Sequence, residues 1–392
     1  MTHSTERILT THVGSLVRPP ELVALLKAQA VGEADESELA DCLRRSVAEV
    51  VAHQADVGID IVSDGEFGKG ISWSRYILER LHGFEDRPDP ARRESDPKRV
   101  LGPRTDTEQF PEFYAEYDKT QGFAGSMRNC YCVGPISYAG QDAIARDIAN
   151  LTAALAGVSV SAFMPAVAPG SVAYERKDEF YESEEAYIFA IADALRDEYR
   201  AIIDAGFTLQ VDDAHLPMMH DQMVPPATHE DYVRWAQLRI DALNHALEGI
   251  PEDRSRYHIC WGSFNSPHIG DVPFKDIAGL VLQVRVGGYA IEMANPRHEH
   301  EWRVWEDLEL PDGRVLIPGV ISHVTNVVEH PELVCERITR LAGLVGRENV
   351  IAGSDCGFAQ GPFVRRVHPS IMWAKLAALA EGAELASRQL WP

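Results

Sequence analysis

The sequence predicts a (β/α)8 barrel, and three observations carry that prediction. Short apolar, β-rich runs recur eight times along the chain. Amphipathic helical patterns follow most of them. The residues able to do chemistry fall at or just past the C-terminal ends of the runs, the face on which barrels build their sites. At 392 residues the chain is long enough for one large α/β barrel with a sizeable core. We therefore read 1–392 as a single α/β domain.

The predicted strands, in order, are 8–13, 60–64, 158–166, 207–212, 257–261, 289–293, 315–321 and 350–354. Between the first two, a helix over 37–57 places Leu39, Leu43, Val47, Val50 and Val51 on one stripe. Asp35 and Glu38 have the spacing of a capping box before it. A second long helix, from 183 to about 206, aligns Ile188, Ile191, Leu195 and Ile202. Further helices are expected over 232–247, 331–345 and 370–381. The stretch 71–134 breaks the rhythm. It is polar, rich in Pro, Arg and Asp, and carries scattered aromatics such as Phe110, Phe113 and Tyr114. It reads as a long excursion after the second strand, lying over the barrel mouth.

Composition narrows the function. The net charge of −23 argues against nucleic acid and anionic membrane surfaces as partners. No apolar run has the length of a membrane span, and the first residues lack a signal-peptide core. Six cysteines in a chain of this size are no disulfide framework, so a reducing, cytoplasmic compartment is expected. A homo-oligomer is compatible with everything above.

The chemical residues are more specific. His258 and Cys260 end one run two residues apart, and a strand sends alternate side chains to the same side. Glu292 ends the next run, and Cys356 ends the last, in Gly353-Ser354-Asp355-Cys356-Gly357. One imidazole, two thiolates and a carboxylate are the parts of a catalytic zinc site. Two thiolates select a borderline or soft metal over magnesium or calcium. Structural zinc sites draw ligands from short Cys-x₂₋₄-Cys loops, whereas these come from separate strands. Ser15, Glu66 and Asp212 also fall at strand ends. Asp213, next to Asp212, is expected to face the other way. His323 is a candidate general acid. His298 and His300 read as a solvated loop, and Cys42, Cys130, Cys132 and Cys335 as packing or incidental thiols. Trp73, Trp261, Trp302 and Trp305 are candidates for lining the mouth. Arg365 and Arg366 are candidates for meeting an anionic donor tail.

Taken in sequence, these motifs resemble the cobalamin-independent methionine synthase family, in its C-terminal catalytic barrel. Thr11-His12-Val13-Gly14-Ser15 looks like the family's opening turn, and Asp64-Gly65-Glu66-Phe67 like its second signature. Leu209-Gln210-Val211-Asp212-Asp213 looks like the third. His258-Ile259-Cys260, Glu292 and Ser354-Asp355-Cys356-Gly357 look like its zinc motifs. The resemblance implies Zn²⁺ held by His258, Cys260, Glu292 and Cys356, a small-molecule thiol acceptor and an alkyl donor, with methyl the usual group transferred. It also implies that Ser15, Glu66 and Asp212 hold the amino-acid part of a homocysteine-like thiol. This sequence departs from the full-length enzyme in having no match to its N-terminal barrel. His323 also lies about one position from the family's proton-donating histidine. Both departures predict weak turnover with a folate donor. Two other readings share the metal motifs: an epoxide:thiol transferase of the coenzyme M type, and a non-catalytic barrel that binds a zinc thiolate.

Overall fold

The structure is a computed structural model, and it describes residues 1–87, 104–120, 129–174 and 176–392. All eight expected strands are present. They are β1 Leu9–Thr10, β2 Ile61–Val62, β3 Ser161–Val167, β4 Thr208–Asp212, β5 Ser255–Ile259, β6 Gly288–Ile291, β7 Val315–Ile321 and β8 Ile351–Ser354. Every neighbouring pair is parallel, and β1 pairs with β8 through Leu9↔Ile351. A parallel bridge, Thr11↔Ile61, joins β1 to β2 and closes the ring. Closure leaves no sheet edge to be satisfied elsewhere.

The helices obey the stripes read from the sequence. Helix Glu36–Asp56 starts at Asp35, whose carboxylate accepts from the backbone N–H groups of Ser37 and Glu38. Helix Glu184–Asp204 is capped by Ser183 and buries Ile188, Ile191, Leu195 and Ile202. Each such side chain contributes roughly 1.5–3 kcal/mol, so Ile191→Ala would open a cavity under this helix. Helix His229–Ala246 begins three residues earlier than expected, at a reciprocal capping box of Thr228 and Asp231. Helix Pro331–Val345 matches its expected range, and the last helix runs on to Leu390.

The excursion is more ordered than its composition suggests. Strand Leu81–Arg87 pairs antiparallel with Asn129–Tyr138, which pairs parallel with Arg176–Asp178. Cys130 and Cys132 therefore sit on a strand, and the inserted region extends past residue 134. Helices Arg104–Gln109 and Pro111–Thr120 lie within it. Its docking is polar. Buried Asp106 accepts from the backbone N–H groups of His268 and Ile269, at 2.7 and 2.8 Å. Buried Asp221 accepts from Thr105 N at 3.0 Å. The excursion is thus tied to the loop after β5 and to the helix after β4, the two segments that frame the barrel mouth.

Candidate metal centre and the cavity above it

The β5 strand presents His258 between Asp212 on β4 and Ala290 on β6 in the ladder register. Two residues on, Cys260 points the same way. Cys356 arrives just past the end of β8. The two sulfurs, both free thiols, lie 3.6 Å apart. His258 and the two cysteines bring one donor atom each to within 4.8 Å of one another. His258 Nδ1 is 3.2 Å from the Ala290 carbonyl, which fixes the Nδ1–H tautomer. Its Nε2, buried and without a partner among the described residues, is left with its lone pair toward the sulfurs.

Electrostatics say what this trio needs. Burial pushes the His258 imidazole down to about 3, so it is a neutral donor. The Cys260 thiol is held well above its ordinary range by its hydrogen bond to Cys356 and by burial. Two buried sulfurs this close cannot both ionise unaided. A cation inverts that logic, because a coordinated thiol loses its proton. An orphaned imidazole nitrogen and two facing sulfurs fit zinc by donor chemistry.

Glu292, just past the end of β6, lies beside the trio and acts electrostatically on Cys260. Its oxygens accept from Trp261 N at 3.1 Å and from Asn295 Nδ2 at 3.0 Å. It groups with His323 and Asp355, whose donor atoms and its own lie within 4.8 Å of one another. His323 is the candidate general acid. The ring is fully buried and is not among the residues lining the cavity. Burial and the cations Arg366 and His268 hold its pKa well below 6.5.

Ser15, Glu66 and Asp212 do come together, beside the trio, and all three line the same cavity. Glu66 has φ +62°, a left-handed conformation costly for a residue with a side chain. The conformation is secured by Asp64, which accepts from Glu66 N at 2.8 Å, and by Arg18, which donates to the Glu66 carbonyl. Lys69 Nζ sits 3.0 Å from the Glu66 carboxylate and over the Tyr76 ring. Burial, and then the Glu66 charge, push the Asp212 carboxyl well above the usual range. Gln210 donates to it at 2.7 Å. Ser15 Oγ is buried with no partner among the described residues. Asp213 faces the other way, as expected, and accepts from the hydroxyls of Ser171 and Tyr257.

The cavity has a volume of ≈1070 Å³ and runs from the trio to the excursion. One wall is a ring stack, in which His215 lies 5.4 Å from Trp73 and 3.9 Å from Tyr174. Arg75, Arg176 and Cys130 also line it, as does Arg366, which donates to Ser263 and lies close enough to act on Cys356. Arg365 is exposed, and Trp302 and Trp305 are not among the lining residues. Trp261 is also not a lining residue. It is buried behind Cys260, with its indole N–H on the Val272 carbonyl.

Behind Trp261 lies a network the sequence did not reveal. His298 stacks on the indole at 3.8 Å. Its ring nitrogens meet Asp271 at 2.9 Å and Glu301 at 2.8 Å. Asp271 also meets His268 at 2.8 Å. His298 is buried, which corrects the solvated-loop reading; His300 is exposed as expected. Burial lowers both imidazoles, but their carboxylate partners outweigh it, raising His268 to about 9 and His298 to about 10. Lys69, Asp355 and this His–Asp–His–Glu chain are the features sequence reasoning missed. The one available signal was Asp355 in the Asp-Cys-Gly motif.

No family model matches the chain. It is 24% identical over 374 residues to the uncharacterized protein YxjH of Bacillus subtilis, covering 93% of this chain and 91% of that one. It is 22% identical over 383 residues to the methionine synthase of Thermococcus kodakarensis, covering 97% and 94%. It is 23% identical over 382 residues to that of Sulfurisphaera tokodaii, covering 97% and 93%. Among solved structures, a B12-independent methionine synthase from Shewanella sp. W3-18-1 superposes with a TM-score of 0.71 at 18% identity, covering 98% of this chain and 99% of that one. A putative counterpart from Listeria monocytogenes gives a TM-score of 0.66 at 20% identity, with the same coverage. The chain is thus similar over nearly its whole length to proteins named methionine synthase, and it has the barrel fold of the B12-independent methionine synthase structures.

Proposed function

We propose that this protein is a zinc-dependent transferase that moves a methyl group to the sulfur of a small thiol. The observation that carries the reading is the convergence of His258 Nε2, Cys260 Sγ and Cys356 Sγ at the floor of a large cavity. His258, Cys260 and Cys356 would hold the metal, with Glu292 as the carboxylate expected to complete the set. Zinc, when bound there, supplies a cationic centre that favours the deprotonated, nucleophilic form of a substrate sulfur. Two anionic thiolates and a carboxylate make such a centre a poor activator of water, which favours thiol chemistry over hydrolysis.

The chain's own residues do the positioning. The Ala290 carbonyl orients His258 so that Nε2 faces the sulfurs. Ser15, Glu66 and Asp212 offer a hydroxyl and two carboxyl groups to the polar end of the thiol, which suits an amino-acid acceptor of the homocysteine kind. The strained Glu66 backbone is held from behind by Asp64 and Arg18, so its carboxylate is fixed before substrate arrives. The aromatic wall of Trp73, His215 and Tyr174 excludes water from the outer cavity, where the donor would lie. A cytoplasmic, reducing setting would keep Cys260 and Cys356 as thiols.

The test is formation of methylated thiol by zinc-loaded protein, with homocysteine as acceptor and a panel of folate, sulfonium and methylcorrinoid donors. Product is expected with at least one donor and is expected to vanish in Cys356→Ala. A fully metal-loaded parent that alkylates no thiol with any donor would overturn the proposal.

A further inference from the structure

Barrel interiors are ordinarily filled by branched apolar side chains, but this one holds a guanidinium. Arg256 on β5 has no exposed surface, and it lies 3.7 Å from the centroid of the buried Phe163 ring. Among the described residues no carboxylate pairs with it directly. Burying a cation in that way is costly, so its presence asks for a reason. Each of its nitrogens is committed. Nε donates to Gln210 Oε1 at 2.8 Å, Nη1 to the Thr11 hydroxyl at 3.0 Å and Nη2 to the His12 carbonyl at 2.8 Å. Because Arg256 can only donate, it fixes which end of the Gln210 amide is oxygen. The amide nitrogen then donates to the Val13 carbonyl and, at 2.7 Å, to Asp212 Oδ1. The relay thus ends on both sides of the acceptor seat. One arm reaches Asp212. The other holds the carbonyls of His12 and Val13, after which the chain turns at Gly14, with φ +126°, to deliver Ser15. That turn admits no side chain, since a Cβ on Gly14 would meet Pro165 at 2.6 Å.

We propose that Arg256, acting through Gln210, sets the positions of Asp212 and Ser15 and so makes the cavity select thiols that carry an amino group. Neither Arg256 nor Gln210 lines the cavity, so both are positioning residues that act through the two they hold. Burial and then the Glu66 charge oppose the ionised form of Asp212, whereas Lys69, Gln210 and Arg256 favour it. An anionic, aimed Asp212 beside the Glu66 carboxylate attracts an ammonium group. A thiol without an amine gains nothing from that pair. A methionine or leucine at position 256 would fill the same space, but it could neither orient the Gln210 amide nor supply the charge. The inference rests on the proposed acceptor seat of Ser15, Glu66 and Asp212, and not on the donor or on the transfer step.

The experiment is calorimetric titration of zinc-loaded full-length protein with homocysteine and with 4-mercaptobutanoate, the same thiol without its amine. Zinc content and thermal midpoint are measured on every protein used. The parent is expected to bind homocysteine roughly tenfold or more tightly, the value of a hydrogen bond to a charged group. Arg256→Met and Gln210→Met should reduce that preference to about threefold or less, with homocysteine weakened and 4-mercaptobutanoate bound as in the parent. Equal weakening of both thiols would make Arg256 a packing residue and overturn the relay. A preference that both variants retain would also overturn the relay, while leaving the acceptor seat intact. A parent with no preference would overturn the seat itself, and the relay with it. Should Arg256→Met fail to fold, Gln210→Met decides, since it cuts the contact to Asp212 and leaves the guanidinium in place.

Discussion

Two trios of side chains sit at the C-terminal ends of β5 to β8, and they differ in donor chemistry and in access to the cavity. His258, Cys260 and Cys356 open onto a cavity of ≈1070 Å³. Glu292, His323 and Asp355 do not line that cavity. Asp355 and Cys356 are consecutive residues in the bend just past β8, and of the two only Cys356 lines the cavity. The barrel therefore separates a reactive, sulfur-rich surface from a rigid, oxygen-rich support within a single residue step. The proposed reactivity rests on the first trio. Geometry depends on the second, and on the Glu329–Lys375 pair and the His298 network that brace it.

The largest effect should follow from breaking the open trio. Cys260→Ala or Cys356→Ala is expected to remove the metal from that site and lower methyl transfer by roughly a hundredfold or more, since even outer-shell changes cost 10–100-fold. Metal analysis beside the activity assay checks it. Lys375→Met attacks the brace instead. It leaves Glu329 buried and unpaired, so denaturant unfolding should show a loss of about 3–5 kcal/mol. Replacing both partners with apolar residues should restore much of that. Gly319→Ala crowds Asp355 directly. A loss of about 1–3 kcal/mol is expected, with weaker metal retention and no change in the residues that line the cavity.

The smallest effect is a pH dependence. His298 in the fold is raised to about 10 from an ordinary 6.5 by Asp271 and Glu301, against the opposing effect of burial. A group raised in this way stabilises fully below about pH 6.5 and loses that contribution as pH rises through about 10. His298→Gln should therefore lower stability by roughly 1–3 kcal/mol near neutral pH and flatten the alkaline fall in the unfolding midpoint. Equal pH profiles in variant and parent would show that His298 is not charged in the folded protein.

The sequence carried much of this, for physical reasons that can be named. Barrel strands are buried on both faces, so they appear as apolar runs, and all eight were legible. The His258-x-Cys260 alternation was legible because strand geometry is local. Glu292 was read as a fourth member of the open trio because strand order says that it arrives there. Its carboxylate also accepts from Trp261 N and Asn295, partners 31 and 3 residues away that no local pattern announces. His323 was read as a candidate acid from its place after the seventh run, and its full burial there comes from packing that no local pattern announces. His298 looked like a loop histidine. Its partners Asp271 and Trp261 lie 27 or more residues away, and no local pattern announces such pairings. Strand Asn129–Tyr138 was lost inside a polar excursion, since its partner strand is separated from it by more than forty residues.

The most direct test is X-ray absorption at the zinc edge of protein reconstituted with one equivalent of zinc. The account predicts two sulfur neighbours and at least one imidazole nitrogen in the parent, loss of that sulfur shell in Cys260→Ala, and an additional sulfur when an accepted thiol is supplied. A spectrum of oxygen and nitrogen neighbours alone in the parent, or an unchanged sulfur count in Cys260→Ala, would contradict it.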